Sequence, residues 1–372
     1  MTMPRRARVP EGKAVFSAEP TPTPPDPSAE GKALFFATPE QPDTAPPDSP
    51  AAADGWQIAD VAEPESGAET LAGRQLGPFR VGEELGRGPT GVVYRASAGE
   101  GEAEVAIKAF HPWLAGQPGF LGALRRELRA LGQLHHLNIA PVRGLGECES
   151  CHYLATHLVA GRSLAQVVGE DSPLPAERAL SIAIQVAVAL DYAHKQRLVH
   201  GGIKPTNIIL GEGDRAVLVD FALARLADDA VRRSAGGVVL GEPQHLAPEL
   251  LAGQPASHAA DRYAFAVVLF TLLAGRPPFL AASPLATLLK QVGDDPPPLS
   301  TLRPDLPAAL DAVLARALAK DPAARYPSCA VLVRAATEAL RGEVVGPAVR
   351  TVPPEPTARS RWWPFHRADA RT

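Results

Sequence analysis

His200-Gly201-Gly202-Ile203-Lys204-Pro205-Thr206-Asn207 is a polar loop with two adjacent glycines, set between two apolar patterns. Before it, Ala179 to His194 carries Ile182, Val186, Leu190 and Ala193 on one face, at the period of a buried helix. After it, Ile208 to Leu210 is a short hydrophobic run of strand type. The loop is thus framed on both sides by segments that fold inward.

The chain around this loop has 372 residues, of which 45% are apolar, enough for a sizeable core in one large or two modest domains. A net charge of -4 with a pI near 6.2 argues against a general nucleic-acid-binding surface, which is usually basic. Arg5, Arg6 and Arg8 are followed by no apolar segment of signal-peptide length. The longest apolar stretch, Tyr263 to Ala274, falls short of the roughly 20 residues a membrane span needs, so a cytoplasmic protein is expected. Three cysteines fit a reducing compartment rather than a disulfide framework. Cys148-Glu149-Ser150-Cys151-His152 spells a haem-attachment string, but it lies between two strand-like runs and reads as a hairpin turn.

Thirty-nine prolines exceed the usual share of about 5% and gather toward both ends of the chain. Residues 1–75 and 342–372 show no sustained period and are expected to be disordered tails. Within the first, Glu11-Gly12-Lys13-Ala14-Val15-Phe16 recurs as Glu30-Gly31-Lys32-Ala33-Leu34-Phe35. The copies are either duplicated low-complexity sequence or two docking peptides for a protein partner, reading through Phe16 and Phe35 and gaining avidity from their tether. Trp362-Trp363 beside arginines suits an anionic membrane surface or a partner groove, and a frayed tail is the simpler reading.

Between the tails, the first ordered segment runs through Glu84-Leu85-Gly86-Arg87-Gly88-Pro89-Thr90-Gly91-Val92-Val93, two alternating strand patterns joined by a glycine-rich turn. Glycines there let backbone approach a phosphate without side chains in the way. The next strand, Val105-Ala106-Ile107-Lys108, ends on a lysine that in isolation is a solvated edge charge. Phe120 to Leu134 has helical apolar spacing at Leu121, Leu124, Leu128, Leu131 and Leu134, with Glu127 beside the stripe. Further on come Ala216-Val217-Leu218-Val219-Asp220-Phe221-Ala222, then Ala247-Pro248-Glu249, Asp261-Arg262-Tyr263, and helix patterns at Leu306 to Ala319 and Val331 to Leu340.

In this order and spacing the motifs resemble those of the eukaryotic-type (Hanks-type) bacterial serine/threonine protein kinases over residues 76–341. The resemblance implies an α+β bilobal fold, with a small β-rich N-lobe at 76–157 and a larger helical C-lobe at 158–341. It also implies ATP and Mg²⁺ as cofactors. Gly86, Gly88 and Gly91 would cover the phosphates, Lys108 would pair with them, and Glu127 would form an ion pair with Lys108. Thr156 would be the gatekeeper, His157 to Val159 the segment along adenine, and Ile209 the floor opposite Val93 and Ala106. Asp220 and Asn207 would hold Mg²⁺, and Arg325 would pair with Glu249.

The departures from the family pattern fall on the acceptor side. Gly202 stands where the catalytic Asp belongs and Gly201 where an Arg precedes it. Glu242 replaces the Thr that bridges the catalytic Asp and Lys, His245 replaces a Tyr, and Ser234 is the sole hydroxyl from Ala222 to Ala247. Glu242, reaching toward Lys204, would plug the acceptor site or stand in as a base, and plugging is the expectation. The chain is therefore expected to be a catalytically impaired pseudokinase that binds ATP and Mg²⁺ and works as a signalling regulator or scaffold. A weakly active serine/threonine kinase is the alternative, and a nucleotide-independent interaction protein the third reading.

Overall fold

A computed structural model describes residues 32–36, 56–60, 71–99, 103–148, 151–235 and 243–342 of the chain. Strands β1 (Lys32–Phe36), β2 (Trp56–Asp60), β3 (Gln75–Leu76), β4 (Phe79–Gly88), β5 (Gly91–Ser97), β6 (Val105–Phe110), β7 (Val142–Cys148) and β8 (Cys151–His157) form one antiparallel sheet. Their order is β2-β1-β7-β8-β6-β5-β4-β3. Alternation along each strand decides which side chains meet. In β6, Val105, Ile107 and Ala109 are buried with Leu76, Val81, Tyr94 and Tyr153 on one face of the sheet. Ala106 and Lys108 turn to the other face, toward the rest of the molecule.

Two expectations change in this lobe. Two segments of the Pro-rich tail, β1 and β2, are strands, with β1 pairing on β7 so that Leu34 faces Leu145 and Phe35 faces Gly144. An edge strand offers a row of unpaired backbone groups, which an extended segment can satisfy. Lys32 to Phe35 of the second copy thus lie in the sheet between β2 and β7, while Glu30-Gly31, Phe16 of the first copy and Trp362-Trp363 lie outside the described residues. The hairpin of β7 and β8 is present, but Cys148 and Cys151 are disulfide-bonded across it, where reduced thiols were expected. Their Cα atoms are 5.2 Å apart, within the span a disulfide bridges.

A short helix α1 (Pro112–Ala115) leads to α2 (Phe120–Leu131), which buries Phe120, Leu124, Leu128 and Leu131. The helix ends at Leu131 with Gly132 as its C-cap, a turn before the expected Leu134, which is still buried in the same core. The second lobe holds β9 (Arg162–Ser163), α3 (Leu164–Asp171), α4 (Ala176–Lys195), β10 (Ile208–Leu210), β11 (Ala216–Leu218), α5 (Leu223–Ala235) and α6 (Pro248–Leu251). It continues with α7 (His258–Ala274), α8 (Pro284–Gly293), α9 (Leu299–Leu302), α10 (Ala309–Ala317) and α11 (Cys329–Leu340).

Helix α7 is the axis of this lobe. Every residue from Tyr263 to Leu273 is buried, so the apolar run too short for a membrane span is covered by protein instead. Helices α4, α9 and α10 pack around it, and α11 lies on α4. Among the described residues no helix is long and apolar enough to cross a membrane. Arg325 and Glu249 form the expected pair, through two bonds of 2.7 Å with both side chains buried.

The lobes are tied at the back by backbone bonds. Leu218 donates to the carbonyl of Asn138 at 2.8 Å, Ala140 donates to that of Leu218 at 2.9 Å, and the Asn138 amide donates to the carbonyl of Ala216 at 2.6 Å. The three-stranded sheet β11-β10-β9 is thereby fixed under β6 and β8, which creates the cleft between the lobes.

Candidate functional site

The loop from His200 to Asn207 leaves α4 and is locked in place by Asp261 in the first turn of α7. The backbone N–H groups of His200 and Gly201 each donate to the Asp261 carboxylate at 2.8 Å, and His194 Nε2 lies 2.9 Å from it. Burial pushes this carboxyl up, but the bond and charge of His194, the charge of His200 and the Gly201 amide outweigh it and hold it below the usual carboxylate range. The wholly buried His200 ring packs on Phe221 at 4.3 Å between centroids. Burial holds its imidazole below the ordinary range, against the pull of Asp261 and Asp220. At the far end of the loop, Asn207 Nδ2 donates to the carbonyl of Gly202 at 2.8 Å, and Val219 N–H donates to the carbonyl of Asn207 at 3.0 Å. His200 through Asn207 is thus a fixed frame that carries the Asp220 segment beside it.

Above the frame lies a cavity of about 850 Å³ between the lobes. Gly86, Gly88, Gly91, Val93, Ala106, Lys108, Thr156, His157, Val159 and Ile209 all line it, together with Asn207, Asp220, Gly202 and Lys204. Register explains the convergence: Val93 pairs with Lys108 and Ala106 with Thr156, so β5, β6 and β8 present neighbouring positions to one face. Ile209 rises from β10 on the opposite wall. A Cβ at Gly86 or Gly88 would meet nothing within 4 Å, so these two glycines leave open space over the cavity. Gly91 has a different reason, since a Cβ there would lie 2.0 Å from the carbonyl oxygen of Ala109 in the neighbouring strand. Burial, with Arg143 and Arg215 nearby, lowers the affinity of His157 for a proton and favours the neutral ring.

The charges of the site are paired differently from expectation. Lys108 Nζ is 2.6 Å from Asp220 Oδ2, whereas Glu127 is 2.8 Å from Arg225 Nη2 and does not line the cavity. The implied pair of Glu127 with Lys108 is therefore absent. Its cause is α5, which occupies residues expected to be a loop and packs against α2, bringing a guanidinium to Glu127. Leu223, Leu226, Ala227 and Ala230 are buried along one face of α5. That i, i+3, i+4, i+7 spacing was available in the sequence and was overridden by the family pattern. Arg225 is the functional residue that sequence reasoning missed. Ser234 falls within α5. His245 is buried and lines the cavity, and Glu242 lies outside the described residues.

Three acidic side chains line the cavity among the described residues: Asp220, Asp228 and Asp261. Asp220 is held by Lys108, Asp261 by the loop amides and His194, and Asp228 rides on α5. Gly202 itself contributes only backbone.

A family model described as the protein kinase domain matches residues 79–335. Serine/threonine-protein kinase PknE of Mycobacterium tuberculosis is 36% identical over 273 residues, covering 73% of this chain and 48% of that protein. Serine/threonine-protein kinase PknH of the same species is 37% identical over 274 residues, covering 73% of this chain and 43% of that protein. The chain thus spans about half the length of the curated relatives it matches. The crystal structure of the Mycobacterium tuberculosis PknI kinase domain superposes with a TM-score of 0.57 at 34% identity, covering 72% of this chain and 97% of that one.

Proposed function

The chain belongs to the protein kinase domain family, with bacterial serine/threonine kinases among its relatives, and on that premise we propose that it binds ATP with Mg²⁺ as a catalytically impaired regulator or scaffold. One observation carries the reading. The residues that the family resemblance assigns to the nucleotide, Glu127 excepted, line one cavity, while the position of the catalytic base is Gly202, against which the side chain of Ala224 packs.

The residues present suit the nucleotide. Gly86 and Gly88 leave the cradle over the cavity open, and Val93, Ala106 and Ile209 offer apolar surface to a base. Lys108 supplies a cation for the phosphates. Asp220 and Asn207 offer a carboxylate and an amide oxygen, hard donors of the kind Mg²⁺ takes alongside phosphate oxygens. Bound there, Mg²⁺ would neutralise phosphate charge and fix its orientation. Lys108 and Asp220, now 2.6 Å apart, would each turn part of their charge toward the ligand.

On the acceptor side, Gly202 supplies no side chain at the position of the family's base. A general base contributes about 10² to 10⁴ in rate, so its absence leaves positioning and charge stabilisation alone. The partner is expected to recognise the nucleotide-bound domain.

A thermal-shift titration of the full chain with Mg²⁺ and ATP tests the reading. At a ligand concentration of about 100 times Kd, stabilisation of about 2.7 kcal/mol is expected, raising Tm by several degrees. Lys108→Ala should remove most of the rise, and a wild-type chain with no rise would refute nucleotide binding. Transfer of radiolabelled γ-phosphate to any protein, above the background of Asp220→Asn, would overturn impaired catalysis.

A further inference from the structure

We infer that Gly201 and Gly202 form a docking seat for α5, so that the substitutions removing the catalytic side chains also create an autoinhibitory contact within the chain. The space a side chain would need is already taken. A Cβ at position 201 would lie 2.6 Å from Cβ of Arg225, and one at 202 would lie 2.8 Å from Cβ of Ala224. Carbon atoms in good contact sit about 3.5–4.0 Å apart, so neither position accepts even an alanine while the helix is seated. Any carboxylate at 202 and the seated helix exclude one another.

The helix matches the seat from its own side. Ala224 presents a single methyl to Gly202, and the stem of Arg225 runs past Gly201, its Cδ and Cγ 3.4 and 3.5 Å from where that Cβ would stand. The same guanidinium reaches Glu127 at 2.8 Å. Gly201 has φ 66 and its N–H is bound to the Asp261 carboxylate, so the seat is anchored by a contact that does not involve the helix.

Seating has a consequence for the cavity. Leu223, Ala224 and Asp228 line it, Glu127 is kept from Lys108, and Lys108 is left to Asp220. A chain with α5 seated therefore presents a narrowed, mispaired nucleotide site, and release of α5 frees Glu127 for Lys108. That last step rests on the nucleotide reading above, whereas the seat does not.

Hydrogen exchange of the full chain, measured without nucleotide, tests the seat. In Gly202→Ala the amides of residues 223–230 should lose protection by about tenfold or more, while those of α7 stay as they are. Adding Ala224→Gly to that variant removes the opposing methyl and should restore protection. Gly201→Ala should act like Gly202→Ala, while Gly213→Ala, which has the same φ of 66 but nothing within 4 Å of a Cβ, should leave α5 protected. Unchanged protection in Gly202→Ala, or failure of the second substitution to restore it, overturns the seat. Should Gly202→Ala not fold, Ala224→Leu presses on the contact from the helix side, and α5 protection that survives it overturns the inference equally. Exposed amides without any gain in ATP affinity would uphold the seat and count against the nucleotide reading.

Discussion

His258 stacks on His194 with ring centroids 4.3 Å apart, and both stand next to the Asp261 carboxylate that fixes the loop. Burial and the charges of His194 and Arg262 lower the pKa of His258, with Asp261 pulling the other way. The folded chain therefore takes up a proton there less readily than the unfolded one. Stability from this group is fully present above the ordinary histidine value of about 6.5 and is lost as pH falls through it toward the lower folded value. Denaturant unfolding should show a stability that declines on acidification below about pH 6.5, with a shallower decline in His258→Gln. An unchanged slope would remove His258 from the account. Asp261→Asn is the sharper change: its amide nitrogen must oppose one of the two N–H donors that the carboxylate oxygens accept from, and the charge is lost from the other bond, where a charge-assisted bond is worth about 1.5–3 kcal/mol. A Tm within a degree of wild type would refute that role. Sequence marked His200 and Asn207 as the ends of the loop, but it could not place Asp261 beneath them. That contact joins residues some sixty apart and depends on how α4 meets α7.

At the scale of elements, helices and strands with one dominant period were readable, and those whose partner lies elsewhere in the chain were not. Helix α4 announced itself through its apolar stripe and runs from Ala176 to Lys195, slightly beyond the pattern at both ends. Helix α5 carried an equally clear stripe, yet its effect on Glu127 depends on packing against α2, which no local pattern encodes. Strand β1 reads as a short apolar run in a Pro-rich tail, and pairing with β2 on one side and the edge of β7 on the other makes it a strand. Capping was readable after the fact: Ser163 accepts from Gln166 N–H and Gln166 reaches back to Ser163 N–H, a capping box at the start of α3. Ser163→Ala should cost about 1 kcal/mol, read as a lower denaturation midpoint at unchanged m-value, and no change would mean α3 is held by its packing alone.

At the scale of the molecule, the buried pair of Arg325 with Glu249 joins the segment before α11 to the one before α7, over the ring of Tyr263. Glu249→Ala would leave a buried guanidinium without its counter-charge, with an expected loss of about 3–5 kcal/mol measured by denaturant unfolding. A loss under about 1 kcal/mol would mean that the backbone carbonyls around Arg325 suffice. The apolar axis α7 bears on how the chain is made as well as on how it stands. It leaves the ribosome before α9 and α10 exist to cover it, and its sides from Tyr263 to Leu273 are too apolar to remain in water. A chain halted near residue 300 should accumulate in the insoluble fraction, whereas the full chain, in which α9 and α10 cover α7, should not.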